Sequence, residues 1–375
     1  MKTHVVVQFT IMALLVFSGC GQKTQKSKEQ KSMKSEKSLQ AFTLQNNNGC
    51  EVRITNFGGK VMSLKVPDKD GNMGDVVLGY ETPEEYIEGN PFFGAILGRF
   101  GNRIGGASFQ LDGKTYELPK NDEDNQLHGG PEGFHNHIWG AEKLEKDGNE
   151  ALRLNYVSED GEMGYPGRMN ITVTYILTQD NSLKIEYEAT TNKKTVLNVS
   201  NHSFFNLKDG GKRKIFDHEI MINADHYTPV SKALIPTGEI LSVTETPMDF
   251  REAKAMGPVI DSDHPQIKYG NGIDLNWVLN KPERGSLTLA AKVHEETTGR
   301  IMEVYTTEPG MQFYTGNFLD GSDLGKDGVA YEQRSAFCLE TQHFPDSPNK
   351  SHFPSPVLAP GETYTQTTIY KFSTK

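Results

Sequence analysis

From Phe42 onward this chain alternates apolar and polar residues with a period of two, and almost never with the period of a helix. Val52-Arg53-Ile54-Thr55-Asn56-Phe57, Ile171-Thr172-Val173-Thr174-Tyr175-Ile176, Leu183-Lys184-Ile185-Glu186-Tyr187 and Tyr364-Thr365-Gln366-Thr367-Thr368-Ile369-Tyr370 all read this way. Successive side chains of a strand point to opposite faces, so each run has one buried and one wetter side. Turn signals divide the runs: Asp70-Gly71-Asn72, Asp112-Gly113, Asp180-Asn181, Asp209-Gly210-Gly211 and Thr298-Gly299. One short helix is expected at Thr82-Pro83-Glu84-Glu85-Tyr86. Thr82 and Glu85 have capping-box spacing there, and Pro83 suits the first helical position. The pattern predicts an all-β fold: one large antiparallel β-sandwich with long loops over residues 41–375, without internal repeat.

The first 40 residues belong to something else. Lys2, the apolar stretch Val5 to Phe17 and then Ser18-Gly19-Cys20 describe an export signal over residues 1–20, too short to span a bilayer as a stable helix. A cysteine directly after Ser18-Gly19 resembles a bacterial lipoprotein cleavage box, with Cys20 the lipidated residue; an ordinary cleaved signal is the other reading. Residues 21–40 read as a flexible tether, because Gln22 to Gln40 carries six lysines and too little apolar surface to fold. The expectation is an exported, periplasmic protein of a Gram-negative bacterium. Its one membrane contact would be the lipid anchor, and Gly21 is compatible with the outer membrane.

Charge limits the partners. Seven of the 39 Lys+Arg and two of the 49 Asp+Glu precede residue 41, which leaves the remainder at about −15. That argues against nucleic acid and disfavours anionic substrates such as sugar phosphates. Only Cys50 and Cys338 follow Cys20, so no disulfide framework is implied, and free buried thiols are preferred.

Five segments carry candidate chemistry. Glu340, in Phe337-Cys338-Leu339-Glu340-Thr341-Gln342-His343-Phe344-Pro345-Asp346, ends an apolar run just before a proline-stopped loop. A general base needs that combination of rigid support and access, although a lone glutamate here is more often solvated. Gly98-Arg99-Phe100-Gly101-Asn102-Arg103-Ile104 offers directed donors between glycines, and alone would be a surface turn. Asn125-Gln126-Leu127-His128-Gly129-Gly130 sets a histidine before two flexible residues. Val199-Ser200-Asn201-His202-Ser203-Phe204-Phe205-Asn206 follows an apolar strand, where a single histidine is more often a hydrogen-bonded core residue. Glu308-Pro309-Gly310-Met311-Gln312-Phe313-Tyr314-Thr315-Gly316-Asn317 is a polar–aromatic strand in which Gln312 both donates and accepts.

In this order and spacing, these segments resemble the aldose 1-epimerases, the galactose mutarotase family. The resemblance runs from about Phe42 to Phe372 and includes Ile54-Thr55-Asn56-Phe57-Gly58-Gly59 and Asp75-Val76-Val77-Leu78-Gly79-Tyr80. It implies a β-supersandwich that interconverts the α and β anomers of free aldoses such as galactose or glucose, feeding hexose metabolism. A carboxylate and an imidazolium can carry that exchange without metal or cofactor, so none is expected, and a monomer or weak dimer is the expected state. Position by position, the resemblance makes His202 the general acid and Glu340 the general base. Asn102, Arg103, His128, Asp274 and Gln312 would hold the sugar hydroxyls. Asp274 stands in Gly272-Ile273-Asp274-Leu275-Asn276-Trp277, where Leu275 replaces the family's usual histidine and could alter the pocket wall.

The residue types fit this chemistry independently. Opening a hemiacetal requires one proton taken from the C1 hydroxyl and one given to the ring oxygen, and a carboxylate with an imidazolium can do both. A neighbouring Glu340 is expected to favour the charged imidazolium of His202. Neutral sugars call for planar, bidentate partners such as Arg103, Asp274, Asn102 and Gln312. Phe313 or Trp277 could cover a sugar face, although plain core is the commoner role. A glycoside hydrolase would pair Asp274 with Glu340 and leave His202 idle. A non-catalytic carbohydrate-binding module would need neither His202 nor Glu340. His128, His135 and His137 match no structural zinc spacing, and His135-Asn136-His137 reads as loop decoration. P-loop and dinucleotide-fold motifs are absent.

Overall fold

The computed structural model describes residues 38–90 and 92–375. The export signal, Cys20 and nearly all of the tether lie outside the described residues. The rest is an all-β fold, as the alternation predicts.

A nine-stranded antiparallel sheet forms one wall. Its order is Gly140–Lys146, Asn149–Ser158, Met169–Leu177, Ser182–Thr191, Tyr364–Thr374, Arg300–Thr306, Thr288–Glu295, Glu219–Ile222 and Lys254–Ala255. Period-two patterning decides which side is buried. On Ser182–Thr191, Leu183, Ile185, Tyr187 and Ala189 are buried, while Lys184, Glu186 and Glu188 are wetter. A five-stranded antiparallel sheet runs Leu241–Ser242, His226–Thr228, Asp274–Val278, Gly310–Tyr314 and Cys338–Gln342. A four-stranded meander, Ala41–Gln45, Glu51–Thr55, Val61–Pro67 and Met73–Asp75, adds a third sheet.

One apolar cluster joins the three sheets. It contains Leu44, Val52 and Ile54 from the meander, Ile171, Ile185 and Val304 from the large sheet, and Leu275, Trp277, Phe313 and Leu339 from the five-stranded sheet. Tyr370 of the large sheet donates its hydroxyl to the carbonyl of Leu339 at 3.0 Å, tying the two walls together. The central strands of the five-stranded sheet are therefore held from behind, which leaves their other face to carry polar groups in fixed positions.

Two local expectations are met with small shifts. The helix is a single turn, Glu85–Glu88, and the Glu85 carboxylate accepts from the Thr82 N–H at 2.8 Å, the capping-box contact. Cys50 and Cys338 are free and buried.

Candidate active site

Strand register assembles half of the site. In the five-stranded sheet Asp274 lies opposite Tyr314, which lies opposite Cys338. Asn276, Gln312 and Glu340 form the next rung, and Val278, Gly310 and Gln342 the third. Residues two apart on a strand share a face, so Asp274, Asn276, Gln312, Tyr314, Cys338, Glu340 and Gln342 line one polar surface. Leu275 and Trp277 point the other way, into the core. The departure at Leu275 thus does not touch the pocket wall, and Phe313 and Trp277 are core residues, with the Trp277 indole donating to the Met248 carbonyl at 3.1 Å. Gly310 belongs to the same design: a Cβ there would sit 2.6 Å from Asn276 Oδ1.

Loops supply the other half. Asn102 and His128 both adopt positive φ, 61° and 54°, and brace each other. The His128 N–H donates to the Asn102 carbonyl at 3.0 Å, and the Asn102 N–H donates to His128 Nδ1 at 3.1 Å. Gly129 lets these loops touch, since a Cβ there would lie 2.0 Å from the Gly98 carbonyl oxygen. With Nδ1 occupied as an acceptor, His128 carries its proton on Nε2. Arg103 donates through Nε to Asp122 at 2.8 Å and places Nη1 3.9 Å from Asp274 Oδ2. Gln312 donates through Nε2 to Asp274 Oδ1 at 2.6 Å, a diagonal contact across the strand pair. Arg99, four residues before Arg103, is scaffold: its guanidinium is buried on Ser158 and the carbonyls of Pro166 and Gly167.

His202 closes the site. Its strand Ser200–His202 pairs with Ala95–Leu97, and Ser200 donates its hydroxyl to the Thr341 carbonyl at 2.9 Å. That contact locks His202 beside the Glu340 strand. His202 Nε2 lies 3.6 Å from Glu340 Oε1. The ring stacks on Phe204 at 4.8 Å between centroids and meets the His128 ring edge-on at 5.1 Å. All seven residues expected from the sequence therefore converge: His202, Glu340, Asn102, Arg103, His128, Asp274 and Gln312. Phe92, which packs edge-on against His128 at 4.7 Å, carries no periodic or motif signal in the sequence. Asn276, Tyr314, Cys338 and Gln342 could have been found by counting twos along the strands from Asp274, Gln312 and Glu340.

Burial sets the electrostatics. Glu340 is 2% exposed. Burial and the nearby Asp274 charge push its carboxyl well above the usual range, with Arg103 pulling back. His202 is pushed down to about 4 by burial. This corrects the expected charged imidazolium, because desolvation outweighs the one opposing contribution, a hydrogen bond to the residue's own backbone. Burial also lowers His128 strongly and raises Asp274, the latter offset by Arg103 and Gln312. Glu340 Oε2 is buried and has no hydrogen-bond partner among the described residues.

One atom each from His128, His202 and Glu340 comes within 4.8 Å of the others, a spacing that could suit a metal ion. The donor set does not fit one, because His128 Nδ1 already accepts from Asn102 and its Nε2 holds the proton. His135-Asn136-His137 does lie in a loop, but His135 is buried beside Phe92 at 5.0 Å rather than decorating its surface, while His137 pairs with Glu162 at 3.0 Å. A cavity of about 1140 Å³ lies elsewhere, lined by Glu308, His343 and Tyr364. These three pair with one another, Glu308 accepting from His343 at 2.6 Å and from Tyr364 at 3.0 Å.

Residues 40–371 match the family model described as aldose 1-epimerase. A galactose mutarotase from Bos taurus is 44% identical over 337 residues, 89% of this chain and 94% of that one. An aldose 1-epimerase from Escherichia coli (strain K12) is 37% identical over 333 residues, 88% and 94% of the two chains. Among solved structures, an aldose epimerase homologue from C. elegans superposes with a TM-score of 0.81 at 30% identity, covering 90% of this chain and 99% of that one.

Proposed function

The chain belongs to the aldose 1-epimerase family and is an isomerase of that class, and we propose that Glu340 and His202 are the base and acid of its anomer exchange. The observation that carries this reading is the buried pair itself, 3.6 Å apart, with Glu340 Oε2 unpartnered among the described residues. The substrate is a free aldose such as galactose or glucose, in keeping with the relatives' names. No cofactor enters the scheme.

The steps follow from the proton inventory. A C1 hydroxyl donating to Glu340 Oε2 supplies the hydrogen bond that favours the carboxylate, and with it the imidazolium of His202. Glu340 then takes the C1 hydroxyl proton while the C1–O5 bonding pair moves to O5. His202 Nε2 delivers its proton to O5, and the O1 lone pair completes the aldehyde. Rotation about C1–C2 presents the other face, and both transfers reverse. The pair carries one proton throughout and titrates as a unit. Burial assists, because it strengthens Glu340 as a base and His202 as an acid and favours the uncharged pair that follows ring opening. His128 Nε2–H, Arg103 and Asn102 act as donors to sugar oxygens, and Asp274 and Gln312 oxygens act as acceptors. All of these groups lie on one chain, so the proposed reaction needs no residue of a second copy, and a monomer or weak dimer is the state proposed.

Polarimetry on fresh α-D-galactose, α-D-glucose and pentoses tests the reading. Equilibration well above the buffer blank on at least one sugar is expected. Rates equal to the blank on every sugar, with binding retained, would leave the carbohydrate-binding module.

Anchoring through Cys20, at the periplasmic face of a membrane, is the second part of the proposal. Its support is the sequence Ser18-Gly19-Cys20 after the apolar Val5 to Phe17 stretch, with residues 21–40 as tether. Labelled palmitate should enter the wild-type protein and not a Cys20→Ala variant; label persisting in the variant would end the lipid assignment.

A further inference from the structure

Cys338 and Glu340 lie two apart on the strand Cys338–Gln342, so their side chains share its pocket face. That face meets both nitrogens of one imidazole. Glu340 Oε1 is 3.6 Å from His202 Nε2, and Cys338 Sγ is 3.4 Å from His202 Nδ1. Phe204 and Phe92 lie nearly parallel to the ring, at 23° and 22°, and hold its plane. Among the described residues, no other side chain hydrogen-bonds or ion-pairs with this ring, whose one further polar partner is the backbone of His202 itself.

A histidine that passes protons through Nε2 must keep Nδ1 protonated in both of its states. A neutral ring has a second tautomer, with the proton on Nε2, that can neither accept there nor release a proton at accessible pH. We infer that Cys338 is a positioning residue for the proposed reaction: its sulfur accepts the Nδ1–H of His202 and so reserves Nε2 for proton exchange. This rests on the role given to His202 above.

A thiol suits the task better than a carboxylate would. A carboxylate on Nδ1 would stabilise the imidazolium and weaken it as an acid. Sulfur is a weak, uncharged acceptor that selects a tautomer with little effect on charge. Burial, with Glu340 and Asp274 nearby, pushes the Cys338 thiol well up, so it stays uncharged.

Nitrogen-15 NMR of histidine-labelled protein reads the tautomer directly, with His202 assigned by the signals lost in His202→Asn. At pH 8 the wild type should show a pyrrole-like Nδ1 and a pyridine-like Nε2. Cys338→Ser keeps an acceptor and should keep both that pattern and kcat within about threefold. Cys338→Ala should move part of the population to the Nε2–H tautomer and lower kcat about tenfold, with KM within about twofold. A wild-type Nδ1 that is pyridine-like would overturn the inference, and that spectrum needs no variant to fold. So would an alanine variant with unchanged tautomer, whatever its kcat, because the loss would then belong to packing. Either result leaves the role of His202 standing if His202→Asn is inactive. A fully active His202→Asn would instead remove the reading on which this inference rests.

Discussion

At the scale of single residues, the site uses burial as its main instrument. Asp274 is held by Gln312 at 2.6 Å and faces Arg103 at 3.9 Å, which fits its proposed role of receiving sugar hydroxyls rather than protons. Asp274→Asn keeps the shape and removes the charge-assisted acceptor. It should raise KM about tenfold and change kcat by less than about threefold in steady-state polarimetry. An unchanged KM with a collapsed kcat would place Asp274 in the chemistry instead. Single residues were also where the sequence said least about charge. Glu340 and His202 were legible as a pair through their motifs, but their proximity suggested an imidazolium. The depth of burial, a tertiary fact, reverses that and takes His202 to about 4.

At the scale of elements, parity along strands explains most of the site. The alternation around Ile171, Leu183 and Tyr364 places those strands correctly, because one face of each is buried in a shared core. The same parity sends Leu275 into the core and Asn276 to the pocket. Register between strands is not written in any one strand, so the rungs that align the polar surface and the Cys338–His202 contact were not legible. Nor was Phe92, which reaches the site from a turn. The strand end beyond Glu340 is secured by a strut, His343 Nδ1 to Glu308 Oε2 at 2.6 Å. Burial alone would lower His343, but the charge and hydrogen bond of Glu308 outweigh it and raise its pKa. A group raised on folding stabilises fully below its unfolded value, near 6.5, and loses that contribution as pH rises through the folded value. Urea midpoints of the wild type should therefore fall as pH rises above about 6.5. His343→Gln should cost about 3 kcal/mol at pH 6 and flatten that fall. An equally steep decline in the variant would remove the strut from the explanation.

At the scale of the whole molecule, three sheets share one core so that a single polar face can be held still beneath two loops. The fold class was legible because its period-two signal runs the length of the chain. The convergence of Asn102, His128, His202, Asp274, Gln312 and Glu340 from six segments was reached through resemblance, since no local pattern encodes distances between segments. The acidic balance, about −15 beyond residue 40, suits a neutral sugar better than a phosphorylated one. In the proposed reaction, Glu340 and His202 work as one proton-exchanging unit. The most direct test is a double-variant cycle followed by polarimetry on α-D-galactose. Glu340→Gln and His202→Asn should each lower kcat by about 10²–10⁴, and the double variant should be no slower than the worse single one. Losses that multiply in the double variant, or a single variant near wild-type turnover, would contradict the unit.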